Sequence, residues 1–198
     1  MSHQAMIVLF NDLELQWALK NATDLDRRLF GDQAWGYEVM SHEVMDTSRT
    51  YIADITESEK AMNVDNERDD NQPNVQSLEM YDSQRLIMRG YAGIWIGDGK
   101  AEIMTVGVDN NYRRQGIAGR MLDWLINYAR INDVGRISLE VLADNQTAQQ
   151  LYHSRGFEDI GLLSNYYASQ GKDCIKMVLD LKEHIMGFSA KGIRMEQQ

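Results

Sequence analysis

The 198 residues of this chain fit a single folded domain, and a hydrophobic fraction of 43% excludes low-complexity disorder for the chain as a whole. The formal net charge of −10 argues against broad binding of nucleic acids or anionic membranes, and it suits either a cationic substrate or simple solubility. No apolar run approaches the roughly 18 residues of a membrane span. The single cysteine, Cys174, excludes an internal disulfide framework. Together with an N-terminus that lacks the pattern of a secretory signal, it predicts a cytoplasmic protein.

The N-terminal part of the chain alternates short apolar runs with helical spacing. Strands are predicted at Met6–Phe10 and Thr50–Ile55, and the recurrence of Leu and Trp predicts helices between them. Residues 57–82 then hold eight acidic and two basic side chains, together with Pro73, the only proline. Because such a segment buries little apolar surface and repels itself, it predicts an acidic loop insertion, with a functional lid as the alternative.

The rest of the chain carries stronger patterns. Amphipathic helices are predicted at Gly116–Arg130 and at Asn145–Arg155, the second ending at Gly156. Strands are predicted at Arg85–Trp95, Ala101–Val108, Arg136–Leu142, Phe157–Leu162 and Cys174–Leu181, with a hairpin turn at 97–99 and a loop at Leu163–Asp173. We therefore expect one α/β domain over residues 1–198, with a mixed, mostly antiparallel sheet, helices on both faces and a short tail from about residue 187.

The segment Arg113–Gly119 joins a predicted strand to a predicted helix. Glycine and alanine allow a ligand to approach the backbone, and the first amides of a helix lack internal partners and carry the positive end of its dipole. A pyrophosphate can accept several such amides, and Arg113 and Arg114 add positive charge nearby. Alone, the turn predicts only an anion at a helix start, and it matches neither the P-loop nor the dinucleotide-binding pattern.

Other catalytic classes lack their characteristic residues. The four histidines share no metal-ligand spacing with Cys174, so no metal is expected. His153 and Ser154 are adjacent, but no triad context accompanies them.

A second group of residues follows the turn, namely Leu139-Glu140-Val141, Asn145, Ala148, Leu151-Tyr152 and Gly156-Phe157. With Arg113-x-x-Gly116-x-Ala118, their order and separation resemble the GNAT superfamily of acetyl-CoA-dependent N-acetyltransferases over roughly Leu86–Leu181. The resemblance implies a fold in which two central parallel strands, here Ala101–Val108 and Arg136–Leu142, splay apart so that the pantetheine arm lies between them.

The resemblance also implies where acetyl-CoA, the cosubstrate, binds. Backbone groups of Val106, Gly107 and Val108 would pair with the acetyl and pantetheine amides. The pyrophosphate would lie on the turn formed by Arg113, Arg114, Gln115, Gly116, Ile117, Ala118 and Gly119. The Asn145 side chain would steady the cofactor, cap the helix that starts there, or do both.

Acyl transfer to an amine requires a neutral nucleophile and a protonated leaving thiolate. Glu140 is the candidate base, because the polar face of its strand is expected to open toward the cleft. Glu102 on the neighbouring strand is the other candidate, and a purely salt-bridged role is the alternative for Glu140. Tyr152 fits the general acid, since a hydroxyl with a pKa of about 10 stays protonated at neutral pH. Helical spacing alone favours a core tyrosine, whereas the motif that resembles the superfamily favours the acid.

Within the superfamily, the chain resembles the bacterial ribosomal-protein-alanine N-acetyltransferases, which modify a protein N-terminus. The resemblance lies in the Glu140…Asn145…Tyr152 spacing, in the predicted loop Asn165-Tyr166-Tyr167, which could shape a peptide entrance, and in Asp173–Met177. Three features depart from the pattern: Ala118 and Asn110 stand where glycine and proline are frequent, and the acidic insertion is unusual.

The expected reaction is direct transfer of acetyl from acetyl-CoA to a protein α-amine, without a covalent enzyme intermediate. The expected partner is a protein N-terminus, for example that of a small-subunit ribosomal protein, with no direct contact to nucleic acid or membrane. Acetylation of a polyamine or another small amine and a non-catalytic acetyl-CoA-binding module are the alternatives.

Overall fold

The computed structural model describes residues 5–58, 85–167 and 172–181, which form a seven-stranded sheet flanked by helices. The strands are β1 (Met6–Leu9), β2 (Arg49–Glu57), β3 (Leu86–Gly97), β4 (Lys100–Val108), β5 (Arg136–Leu142), β6 (Glu158–Tyr167) and β7 (Lys172–Asp180). The α-helices are α1 (Leu15–Phe30), α2 (Tyr37–Met45), α3 (Ile117–Ile131) and α4 (Gln146–His153). The acidic insertion, apart from residues 57 and 58, and the tail from about residue 187 lie outside the described residues.

The sheet is mixed and mostly antiparallel, in the order β1-β2-β3-β4-β5-β7-β6. Only the pairing between β4 and β5 is parallel among the described strands. This architecture confirms the predicted fold class. None of the described helices is both long and apolar enough to cross a membrane.

Helices cover both faces of the sheet because its strands alternate their side chains between two cores. Along β2, Ile52 joins a core with Met121 and Leu125 of α3, whereas Ala53 joins a second core with Leu25 of α1 and Met40 of α2. Buried residues recur at helical spacing along α1 and α3, and every second side chain of a strand faces the same core. The sheet is buried on both sides at its centre.

The centre of the sheet opens between β4 and β5. Their parallel pairing is limited to three residues on each strand, Lys100–Glu102 with Arg136–Ser138. Beyond that point β4 continues to Val108 on the β3 side, while β5 continues to Leu142 paired with β7. The two strands thus separate toward their carboxyl ends, which confirms the predicted splay.

One predicted loop is wrong. Within the stretch expected to be a loop at Leu163–Asp173, β6 runs on to Tyr167 and β7 begins at Lys172, while residues 168–171 lie outside the described residues. Leu163 pairs with Cys174 and Tyr167 with Lys172, with a shift of register between the two pairs. The segment Asn165-Tyr166-Tyr167, expected in a loop, is therefore the end of an edge strand. Leu162 and Ser164, earlier on β6, are both exposed, so no alternation of apolar and polar residues marks this strand.

Candidate active site

The open edge of β4 presents main-chain groups to the gap. The Asp109 N–H donates to the Arg89 carbonyl at 2.8 Å, so residue 109 directs its backbone toward β3. In an antiparallel pair, successive residues direct their backbone groups to opposite edges. Gly107 therefore also points toward β3, and Val106 and Val108 point toward the side where β5 has separated. Val106, Gly107 and Val108 were expected to hold the cofactor through their backbone. Val106 and Val108 direct backbone groups into the gap, and Gly107 does not.

Gly107 is required for a different reason. A Cβ on this residue would lie 2.8 Å from a Leu29 methyl carbon of α1 and 3.1 Å from the Tyr91 ring. Real Cβ atoms do not approach carbon so closely, so the lack of a side chain allows α1 to pack directly on β4. The glycine thus brings α1 close to the opening.

The turn after β4 leads into α3 through two left-handed residues, Arg114 with φ 64° and Gly116 with φ 74°. Gly116 is the N-cap residue of α3, and no side chain caps this end. The first amides of α3 therefore remain available for an anion. Arg113, Arg114 and Gln115 are exposed around them, and the Arg113 Nε donates to the Val108 carbonyl at 3.4 Å.

The remaining turn residues have structural roles that can be read directly. Ile117 is buried in the core under α3, and Ala118 is half-buried. A Cβ on Gly119 would lie 2.2 Å from Nη2 of Arg155, whose Nε pairs with Asp123 at 3.1 Å. Gly119 thus allows this side chain, from the segment after α4, to cross α3.

Glu140 and Glu102 lie together on the face of the sheet that carries α1 and α2. Their neighbours in sequence, Leu139, Val141 and Ile103, belong to the opposite core. The neighbouring charge of Glu140 acts on the Glu102 carboxyl group. The Lys176 Nζ lies 2.8 Å from Oε1 of Glu140. Both candidate bases therefore lie in one cluster with Lys176.

The two acids are not equivalent in this cluster. Burial, and secondly the neighbouring charge of Glu140, raises the pKa of Glu102 above its ordinary value, with Lys176 acting in the opposite direction. These surroundings thus favour the protonated form of Glu102. Glu140 accepts a charge-assisted hydrogen bond from the Lys176 ammonium.

Tyr152 lies on the other side of the sheet. It extends from α4 into the core with Leu139 and Val141, and its ring meets Phe157 edge-on at a centroid distance of 5.8 Å. Burial raises the pKa of its hydroxyl to about 12, so the side chain is a proton donor at neutral pH. Glu140 and Tyr152 therefore occupy opposite faces of β5, beside the strand separation.

Asn145 acts as a helix cap. Its side-chain oxygen accepts the Ala148 N–H at 3.1 Å at the start of α4. This is the structural role that the sequence leaves open beside cofactor binding, and the cap uses the oxygen rather than the amide nitrogen. The nitrogen remains the group for the predicted cofactor contact.

Sequence patterns missed two contacts: the ion pair of Glu140 with Lys176, and the contact of Asp54 with Arg120 beside the turn. Lys176 lies 36 residues from Glu140, and the two meet because β5 and β7 pair directly at these positions. Asp54 and Arg120 meet from β2 and α3 across 66 residues. No local spacing signals such contacts. Within the described ranges, no group of three or more His, Cys, Asp or Glu side chains could hold a metal ion.

The comparison with family models assigns the chain to a class. Residues 41–157, more than half of the chain, match the Acetyltransferase (GNAT) family model. This protein belongs to the GNAT acetyltransferase family. The turn before α3, the gap beside β4 and the segment from β5 through α4 all lie within the matched region.

Relatives in the family include N-terminal acetyltransferases. The chain is 32% identical over 96 residues to a putative [ribosomal protein bS18]-alanine N-acetyltransferase of Bacillus subtilis, covering 48% of this chain and 64% of that protein. It is 42% identical over 79 residues to the N-alpha-acetyltransferase RimI of Mycobacterium tuberculosis, covering 40% and 48%. The Escherichia coli [ribosomal protein bS18]-alanine N-acetyltransferase is 34% identical over 84 residues, covering 41% and 57%. The chain thus spans less than two thirds of each of these relatives.

Solved structures share the fold. The ribosomal-protein-S18-alanine N-acetyltransferase of Escherichia coli superposes with a TM-score of 0.66 at 22% identity, covering 90% of this chain and 95% of that chain. Arabidopsis thaliana NAA60 in complex with acetyl-CoA also gives 0.66, at 18% identity, covering 90% and 99%. At these identities the similarity establishes the fold.

Proposed function

We propose that this protein transfers acetyl from acetyl-CoA to the N-terminal α-amine of a protein, with a ribosomal protein that begins with alanine as the first substrate to test. The carrying observation is the opening between β4 and β5, which has Glu140 on one face, Tyr152 on the other and the uncapped start of α3 beyond its end. The relatives named for ribosomal-protein-alanine acetylation support the choice of amine. A cytoplasmic location is part of the proposal.

The cofactor arm has a suitable place along β4. Val106 and Val108 direct backbone donors and acceptors into the gap, as an added strand requires. At the end of β4, the free amides of α3 with Arg113 and Arg114 suit a diphosphate. Asn145, at the start of α4, offers its amide nitrogen. This arrangement leaves the acetyl end of the donor near the two faces where Glu140 and Tyr152 lie.

Direct transfer fits the acid and the base. The amine nitrogen attacks the thioester carbonyl carbon, Glu140 takes the amine proton, the carbon–sulfur bond breaks and Tyr152 protonates the leaving thiolate. At pH 7 an α-amine with a pKa of about 8 loses about 1.4 kcal/mol to protonation, whereas a lysine at about 10.4 loses about 4.6 kcal/mol. One carboxylate is therefore a sufficient base for an α-amine.

Replacement of Gly116 by alanine tests the proposed phosphate turn, the segment Arg113–Gly119. A side chain at φ 74° is strained, so the free energy of unfolding is expected to fall by about 1 kcal/mol. Because the strain displaces the first amides of α3, KM for acetyl-CoA should also rise. Thermal unfolding and initial rates at varied acetyl-CoA measure the two effects.

Gly99→Ala is the matched control, since Gly99 has φ 68° in the β3–β4 turn and a Cβ there meets no atom within 4 Å. It should lose similar stability and keep its KM for acetyl-CoA. Equal KM values for the two variants would contradict the assigned role of the turn.

Substrate class separates the proposal from its alternative. The net charge of −10 also suits a polyamine, so peptides and polyamines should be compared directly. We expect a higher kcat/KM for peptides with N-terminal alanine than for spermidine, measured by mass of the products. A preference for spermidine would replace the proposal with small-amine acetylation. Binding of the coenzyme with no acetylation of any amine would favour a binding module.

A further inference from the structure

A buried carboxylate lies beneath the phosphate turn. Asp54, in the middle of β2, has no solvent-exposed surface. Its Oδ1 accepts hydrogen bonds from Nε of Arg89 at 2.7 Å and from Nη2 of the same side chain. Its Oδ2 accepts from Nη2 of Arg120 at 2.9 Å. One carboxylate is thus shared by two arginines that come from β3 and from the first turn of α3.

Arg120 connects this carboxylate to the turn itself. While its Nη2 binds Asp54, its Nη1 donates to the Gln115 carbonyl at 3.0 Å. The same nitrogen would lie 3.7 Å from a Cβ on Gly116, so the guanidinium passes close to the left-handed residue. A planar guanidinium can hold two acceptors in a fixed relation. Arg120 therefore ties the last peptide before α3 to the sheet.

Arg89 connects the carboxylate to the segment that leads from β4 into the turn. Its carbonyl accepts the Asp109 N–H at 2.8 Å, and its guanidinium lies 5.9 Å from the centre of the Tyr112 ring. The Asp109 side chain in turn accepts a hydrogen bond from the Asn111 backbone N–H. Both ends of the segment 109–116 are consequently held by residues that converge on Asp54.

The charges of Asp54, Arg89 and Arg120 also favour an anion on the turn. Asp54 carries one negative charge and the two arginines carry two positive charges, so one positive charge is in excess beside the turn. The Asp109 carboxylate is paired separately with Arg28 at 2.9 Å. An anion on the turn would balance the excess charge without contacting Asp54.

We propose that Asp54, through Arg120, is a positioning residue that shapes the turn for the diphosphate of the coenzyme. This inference rests on the proposed function, in which the turn holds that diphosphate. Arg120 acts through the Gln115 carbonyl, and Asp54 fixes the guanidinium that makes this contact. The specific consequence is that loss of Arg120 weakens the use of a donor that carries the diphosphate and spares a donor that lacks it.

Arg120→Gln provides the test, because Asp54 keeps its hydrogen bonds to Arg89 in this variant and is not left unpaired. Two donors are compared, acetyl-CoA and S-acetylpantetheine, which has no phosphate. We expect kcat/KM for acetyl-CoA to fall about tenfold through KM, the order of one charge-assisted hydrogen bond, with kcat/KM for S-acetylpantetheine unchanged. Arg130→Gln removes the same charge from the exposed end of α3 and should change neither value.

Arg120→Lys separates the loss of the bridge between Asp54 and the Gln115 carbonyl from the loss of the positive charge. A compact ammonium retains the charge but not the planar fork, so this variant should resemble Arg120→Gln. Recovery by lysine would assign the effect to charge alone and overturn the inference. An equal loss with both donors, or no loss with acetyl-CoA, would also overturn it. If the unaltered protein used neither donor, the proposed function itself would fail and the inference with it.

Discussion

Glu140→Gln should lower kcat for acetylation of an N-terminal peptide by about 10²–10⁴-fold, the usual contribution of a general base. Glutamine keeps the size of the side chain on β5 but cannot take the amine proton. KM for acetyl-CoA should stay near its original value, because Glu140 faces away from the core that contains Tyr152 and α3. Steady-state rates with peptide and acetyl-CoA varied in turn measure both constants.

Glu102→Gln decides between the two carboxylates. Because the charges of Glu102 and Glu140 interact, this change should alter the surroundings of Glu140 and lower kcat less than Glu140→Gln does. Glu158→Gln, on the exposed edge strand β6, is the neutral control. A larger loss in Glu102→Gln than in Glu140→Gln would move the role of the base to Glu102. Full activity in both variants would exclude this cluster as the base.

Tyr152→Phe should lower kcat by about 10²-fold or more, because the leaving thiolate loses its proton donor. The phenylalanine ring keeps the edge-on contact with Phe157, so little stability should be lost. Burial raises the pKa of Tyr152 to about 12, and a raised pKa keeps the hydroxyl protonated to higher pH. In the unaltered protein, kcat should therefore show no decline from this group between about pH 8 and pH 10.

Tyr128→Phe is the matched control for the hydroxyl, because Tyr128 on α3 is hydrogen-bonded to Thr50 Oγ1 at 3.1 Å and lies outside the proposed machinery. Its kcat should be unchanged. A decline of kcat with a midpoint near pH 10 that disappears in Tyr152→Phe would contradict the raised pKa. Unchanged kcat in Tyr152→Phe itself would contradict the role of acid.

Much of the fold could be predicted because its signals are local. The spacing of Ile117, Met121, Leu122 and Leu125 marks one face of α3, and the alternation of Ile137, Leu139 and Val141 marks the buried face of β5. The glycine at the start of α3 could be read from the sequence, but its left-handed conformation could not. The separation of β4 from β5 came from the resemblance to the GNAT superfamily, since no residue pattern encodes the end of a pairing.

The rest of the site depends on register and on distant contacts. Whether Glu140 meets Lys176 is decided by the alignment of β5 on β7, and a shift of one residue would place Lys176 on the other face. Arg120 reads from sequence as an ordinary exposed helix residue, yet it bridges Asp54 and the Gln115 carbonyl. Such contacts arise from packing, so sequence spacing carries no sign of them.

The most direct test of the account is the site of acetylation on a single peptide. A synthetic peptide with N-terminal alanine and one internal lysine is incubated with acetyl-CoA and this protein, and the product is mapped by tandem mass spectrometry. The account predicts one acetyl group, on the alanine α-amine. Acetylation of the lysine side chain in preference, or an unmodified peptide alongside efficient acetylation of spermidine, would contradict it.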